Sequence, residues 1–208
     1  SYKSWVPNID LQSLNDSNYI ISGFFQDKNI SNLNIKIGPQ DFTGSLSGDT
    51  ITLHTNRLSL DSLLNAEYFA NFDTNEFLSN APLLIPFDLP LNISLSADEL
   101  IYNNNEYKNF IYALKPNSQT FSIMDHDKGN LLATIERTKT TYDIFIQLNR
   151  FSINGALLSP QMPLNIRDTM LTGQIILTTN GQIAHDIIYN MTGTSDITFD
   201  QGYIIGMS

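Results

Sequence analysis

The sequence predicts a mainly β protein: a large curved antiparallel sheet, a meander that is groove-like or partly closed, with two or three short helices, one of them near the C-terminus. Three observations carry this reading. Apolar residues recur at every second position through most of the chain, the period of a half-buried strand. Turn-forming residues interrupt these runs at intervals of about a dozen residues, the spacing of a meander. Helical spacing is scarce, and polarity comes from Asn, Ser and Thr, with only 15% charged residues; those residue types suit strand faces and turns better than helices.

Residues 1–32 are polar and weakly patterned and are set apart as an amino-terminal segment, although Tyr19-Ile20-Ile21 and Phe24-Phe25 have the composition of one strand. A β-rich domain is predicted over 33–208. Leu33, Ile35 and Ile37 alternate with polar residues until Gly38-Pro39. Residues 42–47 and 51–55 form a hairpin about Gly48-Asp49, with Ile51 and Leu53 on the buried side. Asp61 reads as an N-cap ahead of a short helix through Leu63, Leu64 and Ala66, and 71–81 as a second. Pro82, Pro86 and Pro90 exclude regular helix over 82–90, which makes this stretch the candidate internal break.

From Leu91 the alternation is sustained. Leu91, Ile93 and Leu95 face one way, and turns follow at 103–105, at Pro116-Asn117, over 125–130 and at 138–140. Phe121 and Ile123, then Tyr142, Ile144, Ile146 and Leu148, continue the same apolar face. Pro160 and Pro163 bracket a loop. The tail, Leu171 to Gly206, is predicted as strand, helix and hairpin: Leu171, Gly173, Ile175 and Leu177 alternate, Asn180-Gly181 breaks the strand, and Ile183, Ile187, Ile188 and Met191 fall at helical spacing. Gly193 is placed as the stop after that helix, and Asp200-Gln201-Gly202 as a tight turn into Tyr203-Ile204-Ile205. A sheet with one apolar face must cover it with helices, another sheet or a ligand. Three short helices are few for eight or more strands; a sheet curling onto itself as a sandwich is the competing solution.

Charge and motifs exclude more than they select. A net charge of −10 with 11 Lys and Arg is the wrong balance for nucleic acid or for electrostatic adhesion to an anionic membrane. An apolar ligand needs no positive charge. The absence of cysteine removes disulfide and thiolate chemistry and leaves the redox compartment open. The near-continuous apolar run 81–87 is too short to span a bilayer. No signal peptide is visible, and the chain reads as an excised piece because it stops directly after a strand. The sequons at Asn15, Asn29, Asn92 and Asn190 are what an Asn-rich chain produces by chance.

No constellation reads as catalytic or metal-binding. His54, His126 and His185 lack the spacing of a zinc site. Asp125, Asp127 and Gly129 share the D-x-D-x-G of a calcium loop, with Glu136 at the twelfth position, but strand-like flanks make a hairpin turn the better reading. Asp98-Glu99 are neighbours on a strand, so their side chains point to opposite faces, a poor acid–base pair. Gly44-Ser45-Leu46-Ser47-Gly48 has leucine where a nucleophile elbow needs serine. The aromatics, and the sole tryptophan Trp5, are read as structural. The expectation is a protein that is not an enzyme and carries no cofactor and no metal.

The tail carries a family resemblance. The order strand, turn and helix from Leu171, then Met191 to Gly206 with its glycine, alternating strand, acidic-x-Gly turn and final hydrophobic strand, resembles the carboxy-terminal region of AsmA-like proteins, the match falling on Gly193, Asp200, Gly202 and Gly206. The resemblance covers about 35 residues by that pattern; the repeated strands upstream are compatible with it. It implies a periplasmic β-rich body of a Gram-negative envelope protein, tied to the inner membrane by an anchor outside this sequence. It further implies a bridge-like role in carrying phospholipid toward the outer membrane, with phospholipid or another envelope lipid, and other envelope proteins, as partners. Under it, Leu91, Ile93, Leu95, Phe121, Ile123, Tyr142, Ile144, Ile146 and Leu148 are groove lining or core. The tail helix would then plug one end.

Overall fold

The computed structural model describes residues 19–27, 29–60, 91–102, 105–153, 165–167, 169–181, 184–200 and 203–205. The strands are β1 (Tyr19–Gln26), β2 (Asn29–Ile37), β3 (Gln40–Ser47), β4 (Thr50–Ser59), β5 (Asn92–Tyr102), β6 (Asn105–Lys115), β7 (Ser118–Met124), β8 (Asn130–Thr138), β9 (Thr141–Ile153), β10 (Asn165–Arg167), β11 (Thr169–Asn180), β12 (Thr192–Asp200) and β13 (Tyr203–Ile205). One helix, α1 (Ala184–Tyr189), lies between β11 and β12. Eleven strands form a single sheet in the order β1-β2-β3-β4-β5-β6-β7-β8-β9-β11-β12, which does not close into a barrel. The mainly β expectation holds.

Short turns make this order almost forced. Gly38 and Gly48 adopt φ of 55° and 61°, and Asn117 and Lys139 adopt 66° and 58°, all in two-residue connections between neighbouring antiparallel strands. Such left-handed residues match the turn to the twist of the strands it joins. The expected sheet is mainly antiparallel, and it is so among the described strands except at one pair. β4 and β5 pair in parallel, Ile51 opposite Ile93 and Leu53 opposite Leu95. The reason is connection length. Residues 61–90 separate the two strands, and a parallel pair needs a crossover of a dozen residues or more, where a hairpin needs two.

The expected boundary at 32/33 falls inside β2, whose pairing with β1 and β3 runs from Asn29 to Ile37. The two sequence segments therefore share one sheet. The tail departs in two ways. β13 pairs with β10, as Arg167 opposite Tyr203, and not with β12. Met170 faces Asp200 on the β11–β12 ladder, so three steps along each chain leave the register unchanged. β10 and β13 form a two-stranded ladder of their own, where a hairpin of β12 with the last strand is expected. Gly193 is a strand residue paired with Leu177 and not a helix stop. A Cβ there would lie 2.0 Å from the Ile176 carbonyl oxygen, so its role is close approach of β12 to β11. The expected helices at 61–68 and 71–81, the break at 82–90, the loop about Pro160 and Pro163, Trp5, Gly202 and Gly206 lie outside the described residues.

Bulges run across the sheet. β2 carries one at Asn32, β6 at Asn109 and β9 at Arg150, each with positive φ, and each opposes two residues to one on a neighbour. An inserted residue flips the side-chain alternation. The buried face therefore passes from Tyr107 to Phe110 and from Leu148 to Phe151 in steps of three.

Candidate functional site

The sheet's apolar face is the feature from which a function must be built. Period-two strands in this register align their apolar side chains in rows running across the strands. One row is Leu53, Leu95, Tyr112, Phe121, Ala133, Ile146 and Ile175, from β4 to β11. The next, toward the Gly48-Asp49 and Lys139-Thr140 turns, is Ile51, Ile93, Leu114, Gln119, Ile135, Ile144 and Leu177. The other neighbour includes Ala97, Phe110, Ile123, Leu131 and Leu148. Seven strands span six interstrand spacings, about 29 Å.

All nine apolar residues singled out from sequence are thus accounted for. Leu95, Phe121 and Ile146 share the central row; Ile93 and Ile144 share the second; Ile123 and Leu148 stand in the third. Tyr142 lies beneath α1, and Leu91 immediately precedes β5. Ile123, Tyr142 and Leu148 are buried, whereas Leu91, Ile93, Leu95, Phe121, Ile144 and Ile146 are only half-buried. Among the described residues no second sheet of comparable size stacks on this face.

The two ends of the face differ. At the turn end α1 lies over one corner: Ile187 packs on Tyr142 and Ile135, and Thr179 Oγ1 donates to the Ile187 carbonyl. Asn190 Nδ2 donates to the Asn180 carbonyl at 3.0 Å and fastens the helix's C-terminal side. Of the expected helical stripe, Ile187 is buried and Met191 is exposed.

At the opposite end the sheet curls. The Tyr107 and Phe151 rings stack with centroids 5.9 Å apart and planes 11° apart, although β7 and β8 separate their strands in the sheet order. In a flat sheet three spacings would hold them about 14 Å apart. β6 and β9 therefore converge beyond the shorter β7–β8 hairpin. Asp125, at the start of that hairpin's turn and 3% exposed, secures the arrangement. Its Oδ1 accepts from the Asp127 and Gly129 amides at 2.9 and 2.7 Å, and its Oδ2 from the Ser152 amide at 2.5 Å. The D-x-D-x-G stretch is thus a turn locked to β9. Its Glu136 stands on β8 opposite Asp143 and Ser118, away from the loop.

A polar side chain stands within the second apolar row. Gln119 is 8% exposed between Leu114 and Ile135; Tyr112 Oη donates to its Oε1 at 3.2 Å, and its Nε2 has no hydrogen-bond partner. Burial holds the Tyr112 phenol above its ordinary pKa, the mark of a poorly solvated site. Sequence alternation hid this residue, because a lone Gln at an inward position reads as a lapse in the pattern until the register places it.

The other face is mainly polar, with Ile111 and Ile176 exposed among its Ser, Thr and Gln side chains. His54 Nδ1 lies 3.1 Å from Ser96 Oγ, and His54 Nε2 lies 3.8 Å from Asp98 Oδ2, a serine–histidine–aspartate grouping that the sequence reading did not single out. The strand ladders occupy the surrounding backbone amides. Among the described residues, an oxyanion hole of free amides, usually the largest contributor to acyl transfer, is therefore not built there. Nearby, Glu99 pairs with Lys108 at 2.5 Å and with Arg57 at 3.9 Å. Lys108's hydrogen bond holds the Glu99 carboxyl below its ordinary pKa, and Glu99 raises Lys108. His126 is paired with Asp127 at 3.0 Å on the exposed turn. A depression of about 450 Å³ lies where β9 bulges against β11, lined by Leu132, Gln147, Asn149, Gln174 and Asp196 among others. Among the described residues no three His, Asp or Glu side chains converge on a metal position, and no helix is long and apolar enough to cross a membrane.

Comparison with protein-family models, with curated proteins and with solved structures gave no match.

Proposed function

We propose that this sheet is the lipid-bearing body of a non-enzymatic, AsmA-like envelope protein, whose apolar face shields or conducts phospholipid acyl chains. The observation that carries the reading is the central apolar row. It crosses seven strands and is half-open along Leu95, Phe121 and Ile146, and the one described helix covers only a corner. Withdrawing an acyl chain from water is favourable by about 0.8 kcal/mol per methylene. A face built of aliphatic and aromatic side chains therefore suffices, and catalytic groups have no part in it. The curl about Tyr107 and Phe151 makes one end of the face a stop, and α1 narrows the other. On the same reading the protein works in the periplasm, held to the inner membrane by an anchor outside this sequence, in outer-membrane biogenesis. Organic extraction of the purified protein followed by mass spectrometry is the test: co-purified phospholipid is expected, and lipid-free protein of native fold would overturn the reading.

A second reading, a structural or protein-interaction module of the envelope, has its own support. β1 and β12 are the outermost strands of the sheet, with Phe24 53% and Phe199 55% exposed. An unpaired edge is a template for a partner strand. Protein partners without bound lipid would favour this alternative.

A further inference from the structure

Gln119 is a buried amide set into the row of Leu114 and Ile135, and its surroundings define what it can bind. Leu114, 2% exposed, stands beside it on β6, and Ile135 stands beside it on β8. Tyr112 Oη donates to Oε1, which leaves Nε2 buried with nothing to donate to. A buried donor without a partner is costly, and native proteins retain few of them. Leucine or methionine at this position would complete the apolar row at no such cost. With the Tyr112 hydroxyl on Oε1, the amide nitrogen is the free end, and its complement is a hydrogen-bond acceptor.

We infer that Gln119 Nε2 donates to an ester carbonyl of the bound lipid, with Tyr112 as the positioning residue that fixes the amide. This rests on the lipid reading of the apolar face. An ester carbonyl only accepts, sits between apolar chain and polar headgroup, and carries no charge; a site where the amide is only 8% exposed suits a neutral acceptor. The position fits as well. Gln119 lies in the row nearest the turn end, with the row of Tyr112 and Phe121 farther in. Arg137, its Nε buried, lies on the rim side of Ile135, opposite Tyr142. A lipid held by its carbonyl at Gln119 would run its chains along the central row and leave its headgroup toward that rim.

Two phosphatidylcholines with identical chains, one a diester and one a diether, separate this inference from the reading beneath it. Both would be titrated into delipidated protein by displacement of a fluorescent lipid. The wild type is expected to hold the diester about tenfold more tightly, the factor that one retained hydrogen bond of 1.4 kcal/mol represents. Gln119→Leu should bring the two ligands to parity, and Tyr112→Phe should reduce the preference. Gln119→Met, close in volume, guards against misfolding of the leucine variant. Diester and diether binding equally to the wild type, or a preference that survives in Gln119→Leu and Gln119→Met, would overturn the role of Gln119 and leave the lipid face standing. Failure of both phosphatidylcholines to bind would overturn the two together.

Discussion

Asp125→Ala should be the most damaging single truncation on the β7–β8 turn. The carboxylate is 3% exposed and accepts three backbone amides, from Asp127, Gly129 and Ser152. A hydrogen bond to a charged group contributes about 1.5–3 kcal/mol, and a buried donor left unpaired costs about 1–3 kcal/mol. Because the three bonds share one group they do not add, and water reaches the exposed Asp127 side; the expected loss is about 3–5 kcal/mol. Asp125→Asn keeps one accepting oxygen but turns an NH2 toward an amide donor, so it should lose about 2 kcal/mol or more. Urea unfolding with an unchanged slope measures both. Hydrogen exchange adds a local readout, with the Ser152 and Gly129 amides losing protection first. A loss below about 1 kcal/mol for Asp125→Ala would refute the view that this carboxylate locks the curled end.

Other outcomes follow from the same geometry. Gly193→Ala should loosen β12, since its Cβ would fall 2.0 Å from the Ile176 carbonyl oxygen; limited proteolysis within 192–200 should quicken while the central strands stay protected. Ile187→Ala should cost about 2–4 kcal/mol for a buried aliphatic, expressed as early exchange of α1, because Ile187 joins the helix to Tyr142 and Ile135. Stability should respond to pH at both limits. Glu99 is held below its ordinary value of 4.5 by Lys108, so its contribution is present above that pH and fades as pH falls through the depressed folded value. Lys108 is raised above 10.5 by Glu99, and burial followed by the Asp125 charge raises Tyr107 above 10.0. The unfolded chain loses these protons first, so stability declines as pH rises past about 10. Urea midpoints should show Glu99→Gln removing part of the acid limb and Tyr107→Phe flattening the alkaline one.

Much of the sheet was legible because two local signals agreed. Alternation placed Ile93 with Leu95 and Ile144 with Ile146 on one face, and left-handed turn residues at Gly38, Gly48 and Asn117 fixed consecutive pairing. What escaped was non-local. The parallel β4–β5 pair follows from the long segment 61–90, whose course alternation does not encode. The bulges at Asn109 and Arg150 let Tyr107 and Phe151 keep to the buried side by steps of three, which a strict period of two reads as disorder in the pattern. Asp125 looked like a turn residue from sequence, and its bond to Ser152 on β9 depends on the curl. Gly193 was misplaced as a helix stop because a glycine after a helix and a glycine under a crowded strand look alike. Gln119 became conspicuous only when pairing set it between Leu114 and Ile135.

The most direct test of the central claim compares the two faces of the sheet in one experiment. A photoreactive side chain at Leu95, Phe121 or Ile146 would be matched against one at Ser94, Ser122 or Gln147 on neighbouring positions of the opposite face. After irradiation of protein from envelope-bearing cells, intact mass spectrometry should find phospholipid adducts at Leu95, Phe121 and Ile146 and none at the other three. Adducts absent from the apolar row, or equally frequent on both faces, would contradict a lipid-bearing face.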